Sequence, residues 1–504
     1  MATATLSNTP TVIDNAESTT NWGGDSFSLE PDIKVQGTYS VACTQTNNGT
    51  NDVYVTGSWN FSTDVHLRLW MNSSIVAPYG DTEANGGVQI FLYDGTNTAY
   101  YTVGGSDTYG GGWKQWVVYT GNTPDSGSVN KSSITRIGIR INTTSKPRNV
   151  TNGWYDAWTY GDGYTITGGT SGDPIDWSHI ASVDSTNAYG IVTEKDGVYF
   201  LSGDIKIGSG STTTYFEPSS QICVYRDLPV SSSLYQILFQ GTGCHADISG
   251  GTIAAAGTQR FVFDANDSNL NSFTLDGAQL TRAGLSYFKA GQTIQNCTFN
   301  DCLQIDPSTS TFTKNSIVNS TDTGGALLFP SDDSNLSGVD FINNDYGVEY
   351  DSNSDTTTPT FRSLTFDDVS GKYDVNNTSG SSVTIYKNGT ANPNSYTGST
   401  VTFSGSVTVT ITVKDEAGDP IHNVQTAVYK TSDRTEIMNE DTNSSGIATE
   451  TYTGTTPVEV EVRCRKASAG STKYINYSSL QTITTSGLSL SVTLREDTNN
   501  NATT

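Results

Sequence analysis

Five short segments decide the fold: LNSFTL (270–275), IQNCTF (294–299), FTKNSI (312–317), LSGVDF (336–341) and FRSLTF (361–366). Each reads apolar, two residues, a middle position, one residue, apolar, and their starts lie 24, 18, 24 and 25 residues apart. A unit of that length cannot bury its apolar face alone, so successive units must stack as turns of a solenoid. The middle position is Phe273, Cys297, Val339 or Leu364, but in the third copy it is Asn315, where an inward amide needs partners to be tolerated. Two positions after the last apolar residue stands Gly277, Asp301, Asn319, Asn343 or Asp368, types that accept the left-handed conformation of a sharp corner. A second apolar pair follows in each unit: Leu285 with Tyr287, Leu303 with Ile305, Leu327 with Phe329, Val348 with Tyr350, and Tyr373 with Val375. The pattern predicts a right-handed parallel β-helix with two visible strands per coil, stacked at about 4.8 Å per coil into a rod of roughly 40 Å.

Outward from this core the pattern changes twice. All eight tryptophans fall at or before Trp177, which marks off a first domain. Within it HLRLWM (66–71), GVQIFLYD (87–94), KQWVVYT (114–120) and ITRIGIRI (134–141) alternate apolar and polar residues between loops rich in Gly, Asn and Asp, as an antiparallel sandwich does. From Val401 the strands lengthen to VTVTITVKD (407–415), VQTAVYKT (424–431), IATETYT (447–453), PVEVEVRCR (457–465) and LSLSVTLRE (488–496), which predicts a small β-sandwich. The expected organisation is all-β: a sandwich over 1–165, a parallel β-helix over 166–398 with regular coils at about 260–380, an Ig-like β-sandwich over 399–496, and a flexible tail at 497–504. Helices should be few.

Composition narrows the function. A formal net charge of −25, spread along the chain, disfavours nucleic acid as a partner. No run of eighteen apolar residues is present, so no membrane insertion by a helix is expected. The start, MATATLSNTP, lacks the basic and apolar regions of a secretory signal. The six cysteines are too scattered for a disulfide framework or a zinc site, and Cys297 with Cys302 are expected to be buried thiols.

The first domain resembles the galactose-binding-like jelly rolls used as carbohydrate-binding modules, on IDNAESTTNW (13–22), VQGTYSVAC (35–43) and GWYDAW (153–158). That resemblance implies a structural calcium tying the first and last strands through Asp14, Glu17 and Asp156. The middle region looks like the pectate-lyase-like β-helix superfamily, which includes phage tailspikes and polysaccharide-degrading enzymes. The last region is similar to Ig-like or prealbumin-like modules, on DEAGDPI (415–421) and TNSSGIA (442–448).

Catalysis finds little support in the residues. Asp332 with Asp333 and Asp367 with Asp368 are neighbours on a chain that alternates faces, so each pair offers at most one outward carboxylate. No G-H-G motif is present, and His245 is the lone histidine between residues 190 and 390. Arg260, Arg282 and Arg362 are available as lyase bases but sit in no motif. Sugar binding needs only flat aromatic faces and a few hydrogen bonds, for which Trp113, Trp116, Trp154 and Trp158 are candidates. Trp154, Asp156 and Trp158 share a face if their segment is a regular strand. These features, with the resemblance to tailspikes, lead to the expectation of a phage virion surface protein, a tail spike, fibre or head decoration. Such a protein would adhere to host glycans, pack against other virion proteins and self-associate as a trimer. A polysaccharide depolymerase and a non-viral bacterial adhesin are the alternatives.

Overall fold

The computed structural model describes residues 2–500 apart from 25, 46–49, 75–81, 106–111, 144–149, 227–234, 258–259, 368, 406, 453–457, 468–470 and 485–486. Asp368 and residues 501–504 of the expected tail lie outside this set, whereas 497–500 form a turn in which Asn500 N–H donates to Asp497 O. The chain is all-β, with one α-helix, Trp177–Asn187, among the described residues, and divides into two units: residues 1–328 with 343–345, and residues 329–342 with 346–504.

In the first unit two six-stranded sheets face each other as a jelly-roll sandwich. One runs Trp113–Tyr119, His66–Ser73, Val150–Tyr160, Ser40–Gln45, Ser26–Glu30, with Thr11–Asp14 paired to Val150–Tyr160. The other runs Ser126–Gly127, Thr98–Gly104, Val88–Tyr93, Ile134–Ile141, Asn51–Trp59, Trp22–Gly23. Alternation does the sorting: Ile137, Ile139 and Ile141 enter the core with Val53, Ile90, Leu92, Tyr101 and Val103. The sandwich strands end at Tyr160. Gly163–Gly168 instead opens the parallel sheet, pairing with Asp204–Ile207 in parallel and with Ala4–Ser7 antiparallel.

The parallel coils carry three strands, one more than the apolar pattern showed. One face is built from Val198–Leu201, Ile222–Tyr225, Thr252–Ala255, Gln279–Thr281, Thr298–Asn300 and Ser316–Val318, each parallel to the next. Corners fall on left-handed residues either side of this strand: Gly277 and Arg282, Asn296 and Asp301, Lys314 and Asn319. This frame corrects the first of the five copies. Leu275 faces Ile294 and Leu280 faces Phe299, so the unit in phase is LDGAQL (275–280) rather than LNSFTL. Gly277 is therefore the corner before the strand, not the corner after it.

Asn315 is fully buried, yet its amide is satisfied: it accepts from Cys297 N (2.9 Å) and donates to Ile294 O (3.0 Å) of the coil beside it. Asn344 repeats the device, accepting from Ser320 N and donating to Ile317 O, both at 2.8 Å. Outside, Asn300, Asn319 and Asn343 form a hydrogen-bonded ladder. The second apolar pairs need correction. Leu285 and Tyr287 point outward because a register shift before Ser286 turns that serine inward. Leu303 is half-buried, and Tyr373 is 39% exposed while Asp374 is buried.

The helix was not foreseen. Asp176 caps it, accepting from Ser178 N and His179 N, and Ala188 closes it in the left-handed region. Asp184, near its end, is fully buried and accepts from Tyr164 Oη, Gly190 N, Ile191 N and Val192 N.

In the second unit the coils continue through Tyr346–Tyr350, Thr360–Arg362, Tyr373–Asn377 and Val383–Asn388, with Phe341 stacked on Phe366 at 4.7 Å. The C-terminal sandwich has a three-stranded and a four-stranded sheet around Val409, Ile411, Val428, Val460 and Val462. Strands Glu436–Asp441 and Tyr477–Ile483 join the expected five. The DEAGDPI turn is organised by Asp415, which accepts from Ala417 N and Asp419 N around Gly418 (φ 90°).

Candidate glycan-binding face

The two outer faces of the jelly roll have different fates. The face carrying Arg68, Trp70 and Gln115 is covered by the first coil of the rod. Arg68, fully buried, donates from Nε to Ser202 O (2.8 Å) and from Nη2 to Asp162 O (2.7 Å). Gln115 Nε2 donates to Gly190 O (3.2 Å), and a Cβ on Gly190 would lie 2.7 Å from the Trp70 indole nitrogen. Arg226 stacks between Trp70 (4.5 Å) and Phe200 (4.3 Å), and burial lowers its pKa to about 10. A face so filled cannot receive a ligand.

Two of the four expected tryptophans fall out for a related reason. Trp116 and Trp158 are core residues, 3% and 0% exposed. Trp158 leaves the face of Trp154 and Asp156 because Ala157 adopts φ 46° and the register shifts there, a bulge that reverses the alternation. Trp113 and Trp154 are half-buried and stand on either side of Asn72 in one cross-strand row.

The expected calcium trio does not converge. Asp14 Oδ1 accepts from Ala16 N and the Trp22 indole, Glu17 Oε1 from Thr38 N and Tyr39 N, and Asp156 Oδ2 from Val35 N and Gln36 N. No group of three or more His, Cys, Asp or Glu side chains is placed to hold a metal among the described residues. What stays open is Asp156 Oδ1 and the Gln36 amide, buried without hydrogen-bond partners. Burial, aided by the Glu17 charge, raises the Asp156 pKa to about 7.

The outer face of the second sheet is open, and its side chains form a grid of three rows across Thr98–Gly104, Val88–Tyr93, Ile134–Ile141 and Asn51–Trp59. The rows read Thr98, Tyr93, Arg136, Thr56; then Tyr100, Phe91, Gly138, Tyr54; then Thr102, Gln89, Arg140, Asp52. The middle row is aromatic: Phe91, buried at 4% exposure, lies 6.0 Å from Tyr100 and 6.3 Å from Tyr54, both half-buried. Gly138 makes room for it, since a Cβ there would meet the Phe91 ring at 2.5 Å. Arg140 is neutralised by Asp52 through bonds of 2.7 and 2.8 Å and lies over Tyr100 at 4.2 Å. Arg136 is held between Tyr54 (4.7 Å) and Tyr93 (4.9 Å). In the sequence this face is carried by ITRIGIRI and GVQIFLYD rather than by tryptophan, and its signal is Phe91 in the outward phase of its strand, opposite a glycine.

The rod offers less chemistry. Arg260 and Arg282 are paired with Asp301, and Arg362 with Asp333, which engages the three arginines available as lyase bases. Asp333 is buried whereas Asp332 is exposed, as alternation requires. All six cysteines are buried free thiols; burial pushes Cys297 up to about 11 and Cys302 to about 12. A groove of about 400 Å³ beside Tyr350 and Tyr386 is lined by hydroxyls of Ser352, Thr356, Thr357 and Ser381 with a single carboxylate, Asp351. Elsewhere Asp247 and Asp276 lie on adjacent coils, one row apart: Ser249 faces Asp276. Burial and then the Asp276 charge raise Asp247, while bonds from Asn296 and Gln295 lower Asp276.

No protein-family profile matches the chain, and no curated protein is similar to it. Among solved structures, one of the carbohydrate-binding modules of the β-sandwich superfamily aligns at 14% identity and TM-score 0.20, over 32% of this chain and 56% of that one. This chain thus spans little more than half of that structure. The family 11 carbohydrate-binding module from Clostridium thermocellum, solved with a mixed-linked tetrasaccharide, aligns at 12% identity and TM-score 0.21, over 31% of this chain and 97% of that one. The catalytic domain of a family 87 α-1,3-glucanase, in complex with nigerose, aligns at 11% identity and TM-score 0.17, over 80% of this chain and 85% of that one.

Proposed function

We propose that the protein is a rigid attachment protein whose jelly roll binds glycans on the open sheet face. The observation that carries this reading is the pair Tyr100 and Tyr54, seated on the buried Phe91 and bordered by Arg136 and Arg140, on the outer sandwich face opposite the one the first coil covers. Aromatic rings take the C–H faces of sugars, and the guanidinium and phenol groups around them supply hydrogen bonds. A glycan array followed by titration of the hits tests it: Tyr100→Ala and Gly138→Val, the latter evicting Phe91, are expected to weaken binding at least about tenfold, the scale of losing one good contact. Unchanged binding by both variants would refute the site.

The setting we propose is the surface of a phage particle, with other virion proteins and further copies of this chain, in a trimer, as partners. What supports it is a stack of β-coils carrying folded β-modules. Labelling of intact particles by antibody and mass photometry of the purified chain test the two parts. For the structural calcium we propose a smaller donor set than expected, Asp156 Oδ1 and Gln36 Oε1 with Glu17 beside them and Asp14 excluded. A second reading, polysaccharide cleavage, rests on Asp247 and Asp276, whose surroundings drive their pKa values apart as an acid and a base require. Release of reducing ends that Asp247→Asn abolishes would establish it, and its absence across acidic and neutral polysaccharides would dismiss it.

A further inference from the structure

Among the described residues Arg136 is the one cation of the open face left without a counter-charge. Arg140, two residues on, spends its charge on Asp52 in a bidentate pair. In the Arg136 row the neighbours are Thr98, Tyr93 and Thr56, none of them acidic. The nearest carboxylates along the strands are committed to backbone. Asp94, following Tyr93, accepts from Thr96 N, Asn97 N and Asn130 N, bonds that lower its pKa to about 2. Asp125 accepts from Thr102 N at the sheet edge. Among the described residues no carboxylate pairs with Arg136, although Asp and Glu outnumber Lys and Arg by 51 to 26.

Tyrosine rings on both sides pin the Arg136 guanidinium, so its planar fork of N–H donors is ordered before any ligand arrives. A fork of that geometry matches a carboxylate, and the charge-assisted pair is roughly twice as strong as a neutral hydrogen bond. The net negative charge of the chain does not overrule this, because beyond about 8 Å at physiological salt it is largely screened.

We propose that the open face selects acidic glycans, with Arg136 receiving the carboxylate of a uronic-acid unit while the adjoining sugars lie along Tyr54 and Tyr100. This rests on the glycan-binding reading and adds the class of sugar to it.

The test is calorimetric titration of the full chain with oligogalacturonate and with a neutral galactan oligomer of equal length, at low and at high salt. Oligogalacturonate is expected to bind at least about tenfold more tightly, the scale of one added charge-assisted pair, and to lose that margin at high salt. Arg136→Gln should erase the margin, costing oligogalacturonate at least about tenfold more than the neutral ligand; Arg136→Lys, lacking the planar fork, should keep part of it. Asp52→Asn, which frees Arg140, should tighten oligogalacturonate further and so gives a gain that misfolding cannot mimic. Equal affinity for the two ligands, an equal loss for both in Arg136→Gln, or no gain in Asp52→Asn overturns the proposal. Binding of neutral glycans alone would overturn it while the attachment reading stands; no binding of any glycan would end both. A sulfated galactan arm that outcompetes the uronate would also overturn it, by showing that the fork prefers another anion.

Discussion

Asp156 shows what one buried carboxyl does to the whole domain. Its folded pKa, raised to about 7, exceeds the ordinary value of 3.8, so the native state binds a proton that the unfolded chain has released. The stability this contributes is complete below pH 4, falls as pH rises toward 7 and is gone above it. Asp184, raised to about 6 by burial, adds in the same direction. In chelator, the melting temperature should therefore decline between pH 4 and 7 and level off. Asp156→Asn, which keeps an acceptor for Val35 N and Gln36 N, should flatten that decline by on the order of a few kcal/mol at most. If calcium fills the proposed donor set, adding it at pH 8 should raise the wild-type melting temperature and leave Asp156→Asn unmoved. Asn315 is the second residue whose environment makes a sharp forecast. Asn315→Ala strips the Asn315 partner from Cys297 N and Ile294 O inside the coil, and chemical denaturation should show a loss of about 1–3 kcal/mol.

The coil is set less by its strands than by its corners. Strands such as Thr298–Asn300 and Ser316–Val318 are three residues long, too short to fix a register by themselves. The left-handed residue at each end aims them, and at Lys314 (φ 56°) that residue has a Cβ and no compensating local bond from its side chain in the hydrogen-bond network described. Lys314→Gly should accordingly raise stability by about 0.5–1 kcal/mol in denaturant melts. This also explains how far the sequence could be read. Copies from Ile294 onward were legible because a turn residue and an apolar residue coincide at fixed offsets. The first copy slipped because Ser272–Asp276 is a longer strand whose apolar pair, Phe273 and Leu275, imitates the motif one step early. The helix escaped notice because Trp177, Ile180, Ala181 and Asp184 give its buried side a weak apolar contrast. The proposed binding face escaped because its aromatic residues occupy positions where alternation leads one to expect solvent, and cross-strand rows exist only once the register is known.

At the scale of the first unit, jelly roll and rod are one body. Arg68, Trp70, Gln115 and Arg226 make a joint in which a fully buried indole sits against Gly190. Trp70→Ala should cost about 3–5 kcal/mol there and divide the calorimetric transition of residues 1–328 into two, the sandwich melting apart from the coils. A glycan held on the open face would then be held at a fixed angle to the rod in the native protein and at a loose one in the variant. The N-terminal strand Ala4–Ser7 has a different kind of consequence. It runs antiparallel to Gly163–Gly168, the first strand of a sheet whose next strands pair in parallel. A stack of parallel coils is, in polymer terms, a chain growing by addition of like to like, and its bare end is a live end. Four residues of the wrong polarity terminate it. Deleting residues 1–9 should reopen that end, and light scattering should then register end-to-end growth that rises with concentration, as for a polymerisation whose chain stopper has been withdrawn.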